Sequence, residues 1–328
     1  MDALVLEKNG RIVHKAHRRP SGNGNDMILV RVKVAGVCSS DIPRAFRNGA
    51  YHYPLILGHE IFGTTYEQIP RRAVIYPLIS CRACTQCRKG NQNLCAQYDY
   101  LGSRTHGGFA EYVQAPQENI FEVPEGMNAV SAVLTEPLAV VIHAFHKAAP
   151  QKSDKILIVG DGSMGLLLSR FLVQRRFKSV SLLGVHAHKL SRAEQFGASP
   201  ILAVNRLLPQ NYQGKFNVVF ELAGTNSAYQ SSILGLQAQG KLALIGNARE
   251  DIFLPKNVFA QILRKETLVS GSWNSVAKDW KEALAFLASD SEISSVITHQ
   301  VSLKKAPVLL KQIYRCALPD YIKAAFLV

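Results

Sequence analysis

From residue 1 to about 145 the apolar positions come in short runs, or alternate with polar ones, between glycine and proline breaks. "ALVLEK" at 3–8, "MILVRVKVAGV" at 27–37, "AVIYPL" at 73–78 and "GGFAEYVQAP" at 107–116 read as strands, which predicts an irregular β-rich domain. At residue 154 the pattern changes. "DKILIVGDGSMGLLLSRFLVQRRF" reads as a buried strand, a glycine turn and a helix. The unit then repeats: "SVSLLGV" precedes a helical "HKLSRAEQFGA", "NVVFELAG" precedes "NSAYQSSILGLQ", and "GKLALIG", ending at Gly246, closes the set. Strands alternating with helices at this spacing predict an α/β domain, a doubly wound parallel sheet covered on both faces, over 146–286. The tail "ISSVITHQVSLKKAPVLLKQIY" at 293–314 carries strand and helix signals outside that unit. The expected segments are therefore 1–145, 146–286 and 287–328.

Composition narrows the class without naming a chemistry. The chain has 328 residues, enough for two domains. With 47% apolar and 19% charged residues it is a globular sequence, and it contains no apolar run long enough to span a membrane. The opening "MDALVLEKNGRIVHK" has neither signal-peptide nor anchor character, and sparing use of cysteine fits a reducing cytoplasm. The formal charge of +14 favours an anionic partner: a polyanion, a phosphorylated substrate or a phosphate-bearing cofactor. The basic residues are scattered in pairs such as Arg18-Arg19 and Arg175-Arg176, as on a solvated surface. A zinc-bearing nucleic-acid binder is thus the weaker reading, and no recognised nucleic-acid motif supports it.

The turn "VGDGSMG" places Gly160, Gly162 and Gly165 in a G-x-G-x-x-G pattern between an apolar strand and a helix. In that setting the glycines permit a tight turn and let a pyrophosphate approach the helix N-terminus, with Ser163 and Met164 in the first turn. An acid usually ends the second strand of such a domain and accepts the ribose hydroxyls. Here Gly184 stands at that place, followed by His186, His188 and Lys189. With bases nearby and no acid at 184, NADP is favoured over NAD.

Four of the six cysteines, Cys81, Cys84, Cys87 and Cys95, fall within fifteen residues. Disulfides and a redox dithiol compete with a metal site, but C-x2-C-x2-C-x7-C suits four thiolates converging on one tetrahedral zinc. Four sulfurs leave no open position, so this zinc would be structural. A second constellation lies upstream, where Cys38, Ser40, Asp41, His59 and Glu60 fall within "AGVCSSDIPRAFRNGAYHYPLILGHEIFG". Singly each has an ordinary reading, as core or surface. Together Cys38, His59 and Glu60 offer one soft and two harder ligands with a vacancy, as a catalytic zinc requires. Glu136, embedded in the apolar "VLTEPLAVVIHAFH", must be paired or metal-bound, because a buried unpaired carboxylate is costly. An open zinc beside a dinucleotide would acidify a substrate hydroxyl whose carbon then gives up a hydride. Ser40 would relay the proton to water, and Asp41 would orient a ligating imidazole.

Cys38 with Ser40-Asp41, "GHE" at 58–60, the cysteine lobe, "GGFAEYV" at 107–113, "EPLAV" at 136–140 and "VGDGSMG" together resemble the zinc-dependent medium-chain dehydrogenases, the family of alcohol, sorbitol and threonine dehydrogenases. "DIPRAFRNGAYHYPLILGHE" is similar to its galactitol-1-phosphate 5-dehydrogenase-like polyol branch. The resemblance implies a GroES-like catalytic domain interrupted by a Rossmann domain, with the C-terminal tail returning to the former. It implies a catalytic zinc on Cys38, His59 and one or both of Glu60 and Glu136, a polyol or polyol-phosphate substrate, and a homodimer or homotetramer. A cyclitol, amino-alcohol or threonine dehydrogenase and a catalytically silent relative are the other readings. Arg44 and Arg47 are candidates for a substrate phosphate, and Trp273 in "GSWNS" for a pocket wall. Three departures stand out: Ser39 where the family has glycine, a shortened "IFGTTYEQIPRRAVIYPLIS", and Gly184 in place of the acid.

Overall fold

In the computed structural model, which describes residues 1–21, 26–248 and 250–328, the chain divides into two units. One joins Met1–Ala139 to Val276–Val328; the other is Val140–Ser275.

The first unit is organised by one long strand, Met27–Val37. Its sequence is almost unbroken in aliphatic residues, and its inner positions are buried toward the C-terminal end, which suits a strand paired on both edges. It pairs antiparallel with Glu60–Thr65, with Tyr112–Pro116 and with the terminal strand Lys323–Leu327. Arg72–Ile75, Ile120–Glu122 and Ile297–Ser302 complete a seven-stranded sheet, and Asp2–Lys8, Arg11–Ala16 and Leu55–Ile56 form a smaller one. The core between them holds Leu4, Leu6, Val30 and Ile61, with Phe109 and Phe326 meeting edge to face at 4.7 Å. Strand register fixes the neighbours of the strand end. Gly36 lies opposite both Glu60 and Ala325, so the end of the central strand brings the residues after Val37 beside those that open Glu60–Thr65.

The Val140–Ser275 unit contains six parallel strands, in the spatial order Ser199–Leu202, Ser179–Gly184, Lys155–Val159, Phe216–Glu221, Leu236–Leu244, Leu268–Gly271. Helices such as Ser163–Gln174, Ala187–Gln195 and Asn226–Gly235 link them, which is the Rossmann-like arrangement expected from the alternating pattern. "GKLALIG" does not close the sheet, however. Leu268–Gly271 adds an edge beyond it and Ser199–Leu202 adds the opposite edge. These two strands are short and mostly exposed, and they contain proline or glycine, so they lack the apolar run that marks a central strand. The order reverses between Lys155–Val159 and Phe216–Glu221, the place where such sheets open a crevice for a ligand.

The tail folds with the first unit as the helix Ala277–Ser289, the strand Ile297–Ser302, the helix Ala306–Tyr314 and the strand Lys323–Leu327. Among the described residues no helix is long and apolar enough to cross a membrane.

Candidate functional site

Cys38 follows the central strand, His59 precedes the strand beside it and Glu60 opens that strand, so sheet pairing brings them together. One ligand atom from each of Cys38, His59 and Glu60 lies within 4.8 Å of the others. His59 and Glu60 are buried, at 4% and 0% exposure, and Asp41 behind them is at 0%. Asp41 begins the short helix Asp41–Phe46; its Oδ2 accepts the Cys38 N–H at 3.0 Å and its Oδ1 faces His59 Nδ1 at 3.6 Å. Glu60 Oε1 receives Lys323 Nζ at 2.7 Å, and Lys323 also donates to the Val37 carbonyl at 3.1 Å.

Three buried polar atoms of this cluster, Asp41 Oδ1, His59 Nδ1 and Glu60 Oε2, have no hydrogen-bond partner. Buried polar atoms are rarely left in that state, because an unmade bond there costs the full desolvation of the group. The charge balance makes the same demand. Burial alone would push the His59 imidazolium down, but Asp41, Cys38 and Glu136 outweigh it and lift it to about 10. Burial likewise opposes the charge on Lys323, yet Glu60 and Cys38 hold its ammonium above the usual range. The pocket thus calls for positive charge, and a thiolate, an imidazole and a carboxylate are a donor set that fits zinc.

Glu136, near the start of the helix Thr135–Ala148, lies outside that triplet but couples electrostatically to His59 and Glu60. Burial raises its carboxyl to about 7, with His59 drawing it down and Glu60 pushing it up. The hydroxyl of Tyr100 donates to Glu136 Oε1 at 3.1 Å, and the Tyr100 ring meets His59 edge to face at 5.6 Å. Ser40 precedes the helix Asp41–Phe46 without spending its hydroxyl on a cap bond. Arg44 is half-buried and Arg47 exposed, and neither is ion-paired among the described residues. Trp273, 48% exposed, belongs to the other unit.

The four cysteines of the lobe also converge, with all four sulfurs within 4.8 Å of one another. All are free thiols, and Cys81 Sγ and Cys87 Sγ stand 4.0 Å apart, about twice a disulfide length. The lobe is irregular, with one helical turn, Thr85–Arg88, and a 3-10 turn, Gln92–Leu94. Backbone amides, that of Cys87 foremost, lower the Cys84 thiol to about 6, while burial pushes Cys87 up to about 11.

In the second unit the glycine turn brings the helix start close to the strand end. A Cβ at Gly165 would sit 2.0 Å from the Gly160 carbonyl oxygen, so only glycine lets the helix start this close to the strand. Gly162 has open space around it, and Ser163 and Met164 begin the helix Ser163–Gln174. Gly246 packs against Gly224 N and the Glu221 carboxylate on the far side of the strand-order reversal.

Two family models match. The model of the alcohol dehydrogenase GroES-like domain covers residues 24–125, and that of the glucose dehydrogenase C-terminus covers residues 129–312, more than half of the chain. The chain belongs to the zinc-type medium-chain alcohol dehydrogenases. Its relatives in this family include the galactitol 1-phosphate 5-dehydrogenase of Escherichia coli K12, 32% identical over 98% of this chain and 99% of that one. The crystal structure of galactitol-1-phosphate dehydrogenase from Escherichia coli superposes with a TM-score of 0.93 at 30% identity, covering all of both chains. A zinc-binding dehydrogenase from Sinorhizobium meliloti, bound to NADP, superposes at 0.89 with 28% identity over 100% of this chain and 99% of that one.

Sequence reading missed three residues that the structure places in contact with the candidate residues. Lys323 stands 263 positions from Glu60, and its role depends on the terminal strand pairing with Met27–Val37. Tyr100 belongs to a two-residue strand too short to carry a pattern. Asp161 lies inside the glycine turn, and its acidity was the available signal.

Proposed function

We propose that this dehydrogenase interconverts a secondary hydroxyl of a phosphorylated polyol and the matching ketone, using NADP and two zinc ions per chain. One ion would sit on Cys38, His59 and Glu60 with Glu136 at its rim, the other on Cys81, Cys84, Cys87 and Cys95. The observation that carries this reading is the convergence of Cys38, His59 and Glu60 around buried, unpartnered polar atoms. Bound there, zinc supplies Lewis acidity toward an alcohol oxygen, and the dinucleotide supplies the hydride acceptor.

The protein's own groups orient and move protons. Asp41 accepts the Cys38 backbone N–H with one oxygen and faces His59 Nδ1 with the other, so these two donors keep a fixed relation and Nε2 is left to ligate. Lys323 holds Glu60 by Oε1 and leaves Oε2 without a hydrogen-bond partner. Tyr100 fixes Glu136 in the same way. Ser40 Oγ, uncommitted to its helix, takes the substrate hydroxyl proton and passes its own to water. The dinucleotide would rest on Gly160, Gly162, Ser163, Met164 and Gly165, with Gly246 at the crevice wall. NADP is supported by the bare Gly184, by His186, His188 and Lys189 after it, and by the NADP-bound relative. A phosphate on the substrate is supported by the unpaired Arg44 and Arg47 and by the substrate in the name of the Escherichia coli relative.

Absorbance at 340 nm tests the whole reading, with zinc-loaded protein, NAD+ or NADP+, and galactitol 1-phosphate, sorbitol, threonine or simple alcohols. Turnover of the phosphorylated polyol with NADP+ is expected. Turnover confined to threonine or simple alcohols would overturn the substrate class, and a tenfold preference for NAD+ would overturn the cofactor.

A further inference from the structure

Gly184 ends the second strand of the nucleotide-binding unit without a side chain, yet the space above it is filled. A Cβ at Gly184 would lie 2.5 Å from Asp161 Oδ2 and 2.6 Å from Asp161 Cβ. Asp161 arrives from the other side, as the residue between the first two glycines of the turn. Its Oδ2 accepts the backbone N–H of Val185 at 2.7 Å and of His186 at 2.8 Å. His186 Nδ1 lies 3.1 Å from Oδ1 and 3.0 Å from Oδ2. The carboxylate is buried, at 7% exposure, whereas the His186 side chain is 49% exposed.

This pairing sets what the ring can do. A carboxylate only accepts, so Nδ1 must carry the proton that faces Asp161. Nε2 is left for an outside group, and it makes no hydrogen bond among the described residues. The next helix, Ala187–Gln195, has no acid in its first turn, where His188 and Lys189 lie. An anion brought to Nε2 therefore meets no acid from that turn and approaches a helix N-terminus. Asp161 presents no bare charge to it, since two amides and the imidazole already satisfy the carboxylate. A strand-end acid at 184 and Asp161 exclude each other sterically.

We propose that Asp161 is a positioning residue for the 2′-phosphate of the cofactor. It fills the place of the missing strand-end side chain, pins the turn 184–186 and holds His186 with Nε2 facing the phosphate. The inference rests on the NADP reading above and deepens it.

Calorimetric titration of the zinc-loaded protein with 2′,5′-ADP and with 5′-AMP measures this without turnover. Wild type should bind 2′,5′-ADP about tenfold more tightly, as a charge-assisted hydrogen bond implies. His186→Ala and Asp161→Ala should each remove most of that preference while changing 5′-AMP binding by less than about threefold. The double variant should lose no more than His186→Ala alone, as for two groups that act as a unit. Asp161→Asn, which keeps the shape and one accepting oxygen, should regain part of the preference. Equal losses for both ligands in Asp161→Ala, or additive losses in the double variant, would overturn the positioning role and leave the NADP reading standing. A wild type that binds 5′-AMP as tightly as 2′,5′-ADP would overturn both, before any variant is made.

Discussion

Glu60 and Lys323 form an ion pair with 0% and 2% exposure, and neither could be buried alone. The pair also needs Gly36, because a Cβ there would lie 2.0 Å from Glu60 Oε2. Breaking such a pair from one side leaves an uncompensated charge in the interior. Lys323→Met should accordingly cost about 3 kcal/mol in urea unfolding of the zinc-free protein, where no ion compensates Glu60. Adding Glu60→Gln should return at least half of that loss, because the stranded charge is then gone; no recovery would mean that Lys323 acts through packing alone. Cys38 is a different case, since in the proposed function it is a zinc ligand and it carries little of the fold. Cys38→Ser should lose one of two zinc equivalents and about three orders of magnitude in turnover, with dinucleotide binding kept. Two zincs retained at full activity would remove Cys38 from the ligand set.

At the scale of elements, the cysteine lobe has almost no regular structure to hold it. Its two short turns bury Cys87, Asn93 and Cys95 and little else, so a metal is the natural cross-link for the segment. Cys87→Ala should therefore leave one zinc per chain and expose residues 81–95 to limited proteolysis, while the Cys38 site keeps its ion. An unchanged proteolytic pattern would mean that the lobe is ordered without metal. The lobe and the glycine turn were legible in the sequence because both are local patterns, in which spacing along the chain fixes spacing in space. The fold class was legible for the same reason, since periodicity 2 and strand–helix alternation are short-range signals. Other features depend on distant pairing. The terminal strand Lys323–Leu327 shows its role only beside Met27–Val37. The edge strand Leu268–Gly271 carries too few buried positions to be read as part of a sheet. Gly184 looked like the loss of an acid, and only the packing of parallel strands reveals that Asp161, 23 positions earlier, fills the gap.

For the whole molecule, the open question of assembly turns on that same edge. Leu268–Gly271 pairs on one side with Leu236–Leu244 and, among the described residues, leaves its other side without a strand. Leu268 and Val269 are 62% and 41% exposed, and Phe259 and Leu263 on the preceding helix, Lys256–Arg264, are 51% and 68% exposed. An exposed, apolar, unpaired edge is a liability in a free monomer unless something covers it. The simplest cover is the same edge of a second copy, because a twofold axis lets one surface satisfy itself and closes the assembly. A net charge of +14 does not favour such a contact at long range, so the apolar edge must outweigh the repulsion at short range, and salt should tighten it. Light scattering on the purified protein should give a dimer or a tetramer, and Val269→Lys should shift it toward the monomer by adding two like charges across the axis. A wild type that is monomeric at micromolar concentration, or a Val269→Lys variant that assembles unchanged at low salt, would place the interface elsewhere or remove it.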